Sequence, residues 1–135
     1  MKKMWLCLLA VCVFVMCSGC TMLSEERVKL KDLEFTILGE EVIPAELKSI
    51  IDEKKAESFK LTYSDNEYLY ICIGYGQQST GGYSITVNEL YLTEDAIYVN
   101  TELLGPKPEA KTNPTPSEPY IVIRTEQLDE TVIFE

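Results

Sequence analysis

The side chains that most often carry out catalysis are scarce in this sequence. The chain contains no histidine, and four of its five cysteines lie at positions 7, 12, 17 and 20. Histidine is the usual general base, and both the Cys-His pair and the common zinc ligand sets need residues that are missing here. The remaining thiol, Cys72, has no partner for an intramolecular disulfide, and we interpret it as a small buried residue. We therefore expect no catalytic residue, no metal site and no cofactor.

Cys20 is the one cysteine placed for a covalent modification. An apolar run follows two N-terminal lysines and is shorter than the roughly 18 to 20 residues that span a bilayer, as in a secretory signal. Ser18-Gly19-Cys20 resembles the bacterial lipobox, in which the cysteine thiol takes a diacylglyceryl group before cleavage on its amino side. Cys17 stands where leucine is commonest in that motif. We predict a lipoprotein signal peptide over residues 1–19 and lipidation of Cys20; the alternative is an ordinary signal peptide and a soluble secreted protein.

The chain beyond the signal is strongly acidic. It has 12 basic and 22 acidic residues, and without Lys2 and Lys3 the balance is 10 against 22, a net charge of −12. Nucleic acid and anionic lipid are poor partners for such a charge. We predict a membrane-proximal tether over residues 20–32 and a single domain over residues 33–135, held by two acyl chains on the extracytoplasmic side of the cell membrane.

A glycine-rich segment over residues 74–83 carries the densest group of unusual residues. Glycine permits positive φ angles and close backbone approach, which suits either a wide hairpin turn or a recognition loop with exposed amides and tyrosines. A phosphate-binding loop is disfavoured, because the segment lacks the Gly-Lys-Ser/Thr ending and opens no helix. The candidate partner-binding residues are Gly74, Tyr75, Gly76, Thr80, Gly81, Gly82 and Tyr83.

One helix is expected before the main strands. Ile43, Leu47, Ile50 and Ile51 have helical spacing, and Pro44 suits the first turn. We expect this apolar stripe to cover one face of a sheet.

The rest of the pattern is that of β-strands. Leu69, Ile71 and Ile73 alternate with residues that are also largely apolar, so both faces of this strand should be covered. A shift in apolar phase near Asn88 and Glu89 predicts a β-bulge. The expected strands are 33–38, 59–63, 68–74, 83–92, 96–103, 120–125 and 131–134, and those at 59–63 and 68–74 should form a hairpin.

The segment Gly105–Pro119 holds five of the six prolines. Proline removes a ladder hydrogen bond, so this segment is excluded as an inner strand. A loop of this length in a compact domain is usually functional or disordered, and its low apolar content fits both.

The segment Gly74-Tyr75-Gly76, followed by Thr80-Gly81-Gly82-Tyr83-Ser84-Ile85, a proline-rich loop and Tyr120-Ile121-Val122-Ile123, resembles the C-terminal domain of the protease complex subunit PrcB family. The resemblance runs from about residue 59 to 125. It implies a non-catalytic lipoprotein domain, in a family named after a subunit that associates with and stabilises a surface protease. Ser79 departs from the family pattern, in which a proline often precedes the threonine.

These observations predict a mainly β (α+β) fold, an antiparallel β-sandwich or curved sheet with one N-terminal helix. We expect a lipid-anchored extracellular module that binds a protein through residues 74–83 and stabilises or assembles a surface protease complex. Participation of residues 105–119 in binding is an open question. Two alternatives remain. A small all-β protease inhibitor would present the Thr-Gly segment to an active site, and a small-ligand-binding lipoprotein would carry an aromatic pocket.

Overall fold

The structure is a computed structural model that describes residues 28–109, 111 and 114–135. The predicted signal peptide, the lipidation of Cys20 and most of the predicted tether lie outside the described residues. Within the described part, no helix combines the length and the apolar character that a bilayer span requires. In chain order the elements are β1 (Lys31–Asp32), β2 (Phe35–Ile37), a 3-10 turn (Glu40–Val42), α1 (Ala45–Lys54), β3 (Ser58–Ser64), β4 (Tyr68–Tyr75), β5 (Ser84–Leu92), β6 (Ala96–Leu104), β7 (Tyr120–Glu126) and β8 (Thr131–Phe134).

The strands form two four-stranded sheets, with the orders β1-β5-β6-β8 and β2-β7-β4-β3. This arrangement confirms the predicted mainly β, sandwich-like fold with one N-terminal helix. Neighbouring strands pair antiparallel except for β6 and β8, which run parallel. The parallel pair arises because the chain crosses from one sheet to the other between β7 and β8 instead of turning back in a hairpin.

Strand β4 lies at the centre of the molecule and is covered on both faces, as its sequence predicts. Leu69, Ile71 and Ile73 belong to the core between the two sheets. Tyr70 and Cys72 point the other way, into a second core that contains the helix. Strand β4 therefore joins the core between the sheets to the core under the helix.

Helix α1 packs its apolar stripe on the outer face of the β3-containing sheet. Leu47 and Ile51 are fully buried against Tyr70, Cys72 and Val122. Pro44 precedes the helix as its N-cap residue, where its missing N–H costs no intrahelical bond. Burial of two such aliphatic side chains contributes about 3 to 6 kcal/mol of hydrophobic free energy, so this face is a second core.

Two local features refine the sequence prediction. The register of β5 against β6 shifts between Val87 and Glu89, which confirms the predicted bulge. The sheet also begins earlier than residue 33, because Lys31 and Asp32 pair with β5 and the Leu30 N–H donates to the Leu92 carbonyl at 2.8 Å.

Candidate protein-binding surface

The glycine-rich segment does not connect two neighbouring strands. It leaves β4, which pairs with β3 and β7, and enters β5, which pairs with β1 and β6 in the other sheet. The wide-hairpin interpretation of this segment is therefore wrong. Residues 76–83 cross from one sheet to the other at one end of the sandwich, and hairpin geometry does not explain the glycines there.

The first two glycines of the segment are buried and allow close packing. A Cβ at Gly74 would lie 2.1 Å from Cε1 of Phe59, the residue directly opposite on β3. Gly76 has a φ of +76°, and a Cβ there would lie 3.0 Å from the Ser58 backbone nitrogen. A side chain at Gly74 would clash with the Phe59 ring on β3, and one at Gly76 would crowd the backbone where β3 begins. The positive φ at Gly76 adds strain for any other residue. These glycines position the crossing segment and do not face solvent.

Tyr75 is also held inside the sandwich. Its ring is half-buried against the core between the sheets, and its hydroxyl lies 2.7 Å from Oγ1 of Thr101 on β6. The hydrogen bond joins the last residue of β4 to the opposite sheet. Of the predicted partner-binding residues, Gly74, Tyr75 and Gly76 thus form the base of the loop.

The second half of the segment reaches the surface. Gly82 is exposed with a φ of +88°, while Thr80, Gly81 and Tyr83 are half-buried. The ring of Tyr83 lies beside Gly105, where an added Cβ would be 3.6 Å from its Cε1 atom. A tyrosine held on one side and open on the other offers contact area at a low cost in side-chain entropy.

The proline-rich segment is bonded directly to the glycine-rich one. The Gln78 N–H donates to the Ser117 carbonyl at 2.7 Å, and the Ser117 N–H donates back to the Gln78 carbonyl at 3.0 Å. The Ser117 hydroxyl donates to the Thr80 carbonyl at 2.6 Å, and the Tyr75 N–H donates to the Pro119 carbonyl at 3.1 Å. We call residues 76–83 and the described part of 105–119 the joined loops. They form one surface at one end of the sandwich.

Sequence reasoning did not identify Gln78 and Ser117 as the residues that connect the loops. Each residue is ordinary in a polar loop, and neither position carries a local signal. Their pairing depends on the sheet order, which places the end of β4 beside the start of β7.

No group of three or more cysteine, aspartate or glutamate side chains among the described residues is placed to hold a metal ion. Burial raises the pKa of the Cys72 thiol to about 12, so the thiol stays protonated at neutral pH and is a poor nucleophile. Burial likewise raises the pKa of Tyr70 and of Tyr120 to about 12, each with a hydrogen bond to a carboxylate as a further cause.

A cleft of about 490 Å³ lies at the opposite end of the sandwich from the joined loops. It contains Arg124, whose guanidinium carbon is 4.4 Å from the centre of the Tyr68 ring. The cleft has no contact with the glycine-rich segment. This cleft therefore gives the predicted loop residues no pocket for a small ligand. Another cleft, of about 370 Å³, is lined by Gly74 and Tyr75 together with the charged Lys60 and Glu135.

Comparison with known proteins gives one match. Residues 69–126 match the family model described as PrcB C-terminal, which confirms the resemblance seen in the sequence. The match begins in β4, ends in β7 and includes both of the joined loops. No curated protein and no solved structure matches the chain.

Proposed function

Since residues 69–126 match the PrcB C-terminal family model, we propose that this chain is a lipid-anchored extracellular module that binds a protein of a surface protease complex through the joined loops. The match is compatible with a module associated with a protease complex, in a family of accessory subunits that is not known to be catalytic. Lipid on Cys20, a position outside the cytoplasm, and stabilisation or assembly of the complex are parts of this proposal.

The observation that carries the proposal is the bonding of the two loops by Gln78 and Ser117. Two irregular segments that are rich in glycine and proline would be expected to move independently. Here they are held together by two backbone hydrogen bonds and the Ser117 hydroxyl. A preorganised surface loses less conformational entropy when a partner binds, so it binds a protein more tightly than two separate loops of the same composition.

The composition of the surface also fits a protein partner. It combines the half-buried ring of Tyr83 with exposed polar groups of Gln77 and Ser79, and the ring of Tyr75 lies in its base. Its exposed charged side chains are of both signs. Tyrosines surrounded by adaptable polar residues are common at protein interfaces. The sandwich also holds these rings in place, so the conformational entropy lost in ordering them is lost on folding and not on binding.

The test is crosslinking affinity capture from intact cells with the lipidated chain as bait. We expect a surface protease or one defined protease complex to be enriched over a Cys20→Ala form, which is the unanchored control. Gly81→Ala combined with Tyr83→Ala should reduce capture by at least about tenfold, the effect of losing an interface contact worth more than 1.4 kcal/mol. The far-ultraviolet circular dichroism and the melting temperature should stay close to those of the unchanged chain.

The matched control is Glu67→Ala combined with Asp95→Ala, two exposed residues at the other end of the sandwich. This variant should retain full capture. Equal capture by the loop variant and the control variant would refute the assignment of the binding surface. Once a protease is identified, adding the purified chain to it separates the stabiliser, which preserves activity over time, from the inhibitor, which abolishes it at once.

A further inference from the structure

One cationic side chain at the end away from the joined loops has no acidic partner among the described residues. Arg124 is half-buried on β7 and lines the cleft of about 490 Å³, which we call the Arg124 cleft. Within the described part of the chain its guanidinium forms no ion pair and donates no hydrogen bond, and its contact is with the Tyr68 ring. The sequence holds 22 acidic residues against 12 basic ones, so carboxylates are plentiful. A half-buried arginine without one is an exception to the usual pairing of such residues.

The contact with Tyr68 leaves the hydrogen-bonding edges of the guanidinium unused. The guanidinium carbon lies 4.4 Å from the ring centre, a cation–π distance, and this contact uses the face of the group. The five N–H donors of an arginine lie in the plane and point away from that face. Their fork matches the two oxygens of a carboxylate, and the tyrosine ring restricts the orientation of the fork. Arg124 is therefore arranged to accept a carboxylate from outside the described chain.

Most of the other charged side chains around the cleft neutralise one another. The ammonium of Lys31 lies 3.1 Å from a carboxylate oxygen of Glu126, and that of Lys29 lies 2.9 Å from one of Asp32. Glu34 also lines the cleft, is exposed, and forms no ion pair with another described residue. The cleft therefore presents one unpaired cation, the arginine, and one unpaired anion.

The two unpaired charges are close neighbours that do not pair with each other. Thr36 lies directly opposite Arg124 in the β2–β7 register, and Glu34 comes two residues before Thr36. The Thr125 hydroxyl donates to the Glu34 carbonyl at 2.7 Å and holds this residue against β7. Residues in such a diagonal relation have Cα atoms about 7 to 8 Å apart. A gap of this size between unlike charges suits a small ligand that carries both charges.

Phe35 supplies apolar surface in the same cleft. It lines the cleft, and 40% of its surface is exposed. An accessible aromatic ring offers a large contact area to the apolar part of a ligand. The volume of the cleft lies within the range of about 300 to 1,000 Å³ that is common for small-molecule sites, in which a few polar groups fix the orientation.

We propose that the Arg124 cleft binds a small zwitterion with an apolar body, the chemistry of an apolar amino acid or of a short peptide. The ligand carboxylate accepts hydrogen bonds from Arg124, its ammonium lies beside Glu34, and its apolar side chain packs on Phe35. A phosphate group fits less well, because its second negative charge would meet the three carboxylates that line the cleft. The inference does not depend on the joined loops, which lie at the other end of the sandwich.

The experiment follows the arginine Nε–H signals of the full chain in detergent micelles by nuclear magnetic resonance. The chain has two arginines, so Arg27→Lys assigns the signal of Arg124. The probes are L-phenylalanine, glycyl-L-phenylalanine, L-phenylalanine amide, which lacks the carboxylate, and 3-phenylpropionate, which lacks the ammonium. At millimolar concentration a zwitterion should shift the Arg124 signal and saturate it, and each singly charged analogue should bind at least about tenfold more weakly, as expected for one lost charged hydrogen bond. Which zwitterion binds more tightly separates a free amino acid from a peptide as the source.

Substitutions of the two unpaired charges are measured by calorimetric titration. Arg124→Lys keeps the positive charge but loses the planar fork, and it should weaken binding of the zwitterion by about fivefold or more. Glu34→Gln, at an exposed position, should remove the preference for the zwitterion over 3-phenylpropionate. A purely structural role of this glutamate would not change that preference. Glu53→Gln, an exposed position on α1, is the matched control and should bind normally.

The outcomes that would overturn the proposal are specific to this cleft. No saturable shift of the Arg124 signal with either zwitterion, or equal binding of 3-phenylpropionate by the unchanged chain, would refute it. Gly81→Ala combined with Tyr83→Ala should leave zwitterion binding unchanged, and Glu34→Gln should leave capture of the protein partner unchanged. Failure of the joined loops as a binding surface and failure of the Arg124 cleft can therefore be distinguished.

Discussion

The two ends of the sandwich are held together in different ways. At one end, which we call the turn end, short connections satisfy their own backbone groups. Asp65 accepts the N–H groups of Glu67 at 3.1 Å and of Tyr68 at 2.9 Å, and Thr93 accepts the N–H of Ala96 at 3.1 Å. These bonds join residues two or three positions apart, so the turns form from local chemistry.

The other end, formed by the joined loops, depends on distant residues. Ser117 and Thr80 are 37 positions apart, and Tyr75 and Thr101 are 26 apart. These contacts require both sheets to be in place, because each loop crosses from one sheet to the other. The turn end is thus fixed by local contacts, whereas the joined loops, where we propose that a partner binds, are positioned by the stacking of the two sheets.

The first prediction tests whether the joined loops rest on a rigid base, and it has the largest expected effect. Gly74→Ala places a methyl group against the Phe59 ring, which packs in the helix-facing core. We expect a loss of about 2 to 3 kcal/mol in unfolding free energy, as for other overpacked sites. Urea denaturation measures it. Gly81→Ala, at a glycine without a positive φ, is the control and should change stability by less than about 0.5 kcal/mol. Equal stability of the two variants would mean that strand packing does not support the loops.

The second prediction tests the local character of the turn end. Thr93→Val keeps the shape of the side chain but removes the hydroxyl that accepts the Ala96 N–H and donates to the Ala96 carbonyl at 3.1 Å. Thr93 is buried, so the Ala96 N–H is left without its partner. We expect a loss of about 1 to 2 kcal/mol in a thermal or urea unfolding measurement. Thr93→Ser, which keeps the hydroxyl, should recover most of that loss; a serine variant as unstable as the valine variant would show that the methyl group matters instead.

The third prediction concerns the pH dependence of the turn end and has the smallest effect, because Asp65 is exposed. Hydrogen bonds from the backbone N–H of Tyr68, from the Tyr70 hydroxyl and from the Glu67 N–H hold the pKa of Asp65 below its ordinary value of 3.8. A carboxyl group with a lowered pKa in the folded state stabilises the fold at pH values above its ordinary pKa, and the contribution is lost as the pH falls through the folded value.

We therefore expect the unchanged chain to melt at a higher temperature than Asp65→Asn near neutral pH. The difference should shrink as the pH is lowered below about 4. Melting temperatures of both chains between pH 6 and pH 2 measure this. A constant difference over that range would show that the hydrogen bonds to Asp65 do not depend on its charge.

Much of the fold was predictable because it depends on local pattern. The alternation of Leu69, Ile71 and Ile73 with Tyr70 and Cys72 indicates a strand covered on both faces, and the structure confirms it. The helix and the bulge in β5 were likewise predictable, since helical spacing and a change of apolar phase are properties of neighbouring residues.

The candidate site was predictable only in part. The glycines and tyrosines of residues 74–83 drew attention by their types, but sequence pattern could not separate those that are buried from those that reach solvent. Gly74 and Phe59 approach each other only because β3 and β4 pair in one register. The same limit applied to the parallel pairing of β6 with β8. Strand order depends on contacts between residues far apart in the chain, which no local window contains.

Residue types and local patterns were enough to show a chain without histidine, a single thiol beyond Cys20, an acidic composition, and strands and one helix with recognisable apolar faces. The crossing of the glycine-rich segment between the sheets, and its bonding to the proline-rich segment by Ser117, depend on the three-dimensional arrangement of the strands. The difference lies in the distance along the chain over which each effect acts. Side-chain type and periodicity act over a few residues, whereas the joined loops arise from the stacking of two sheets between which the chain crosses repeatedly.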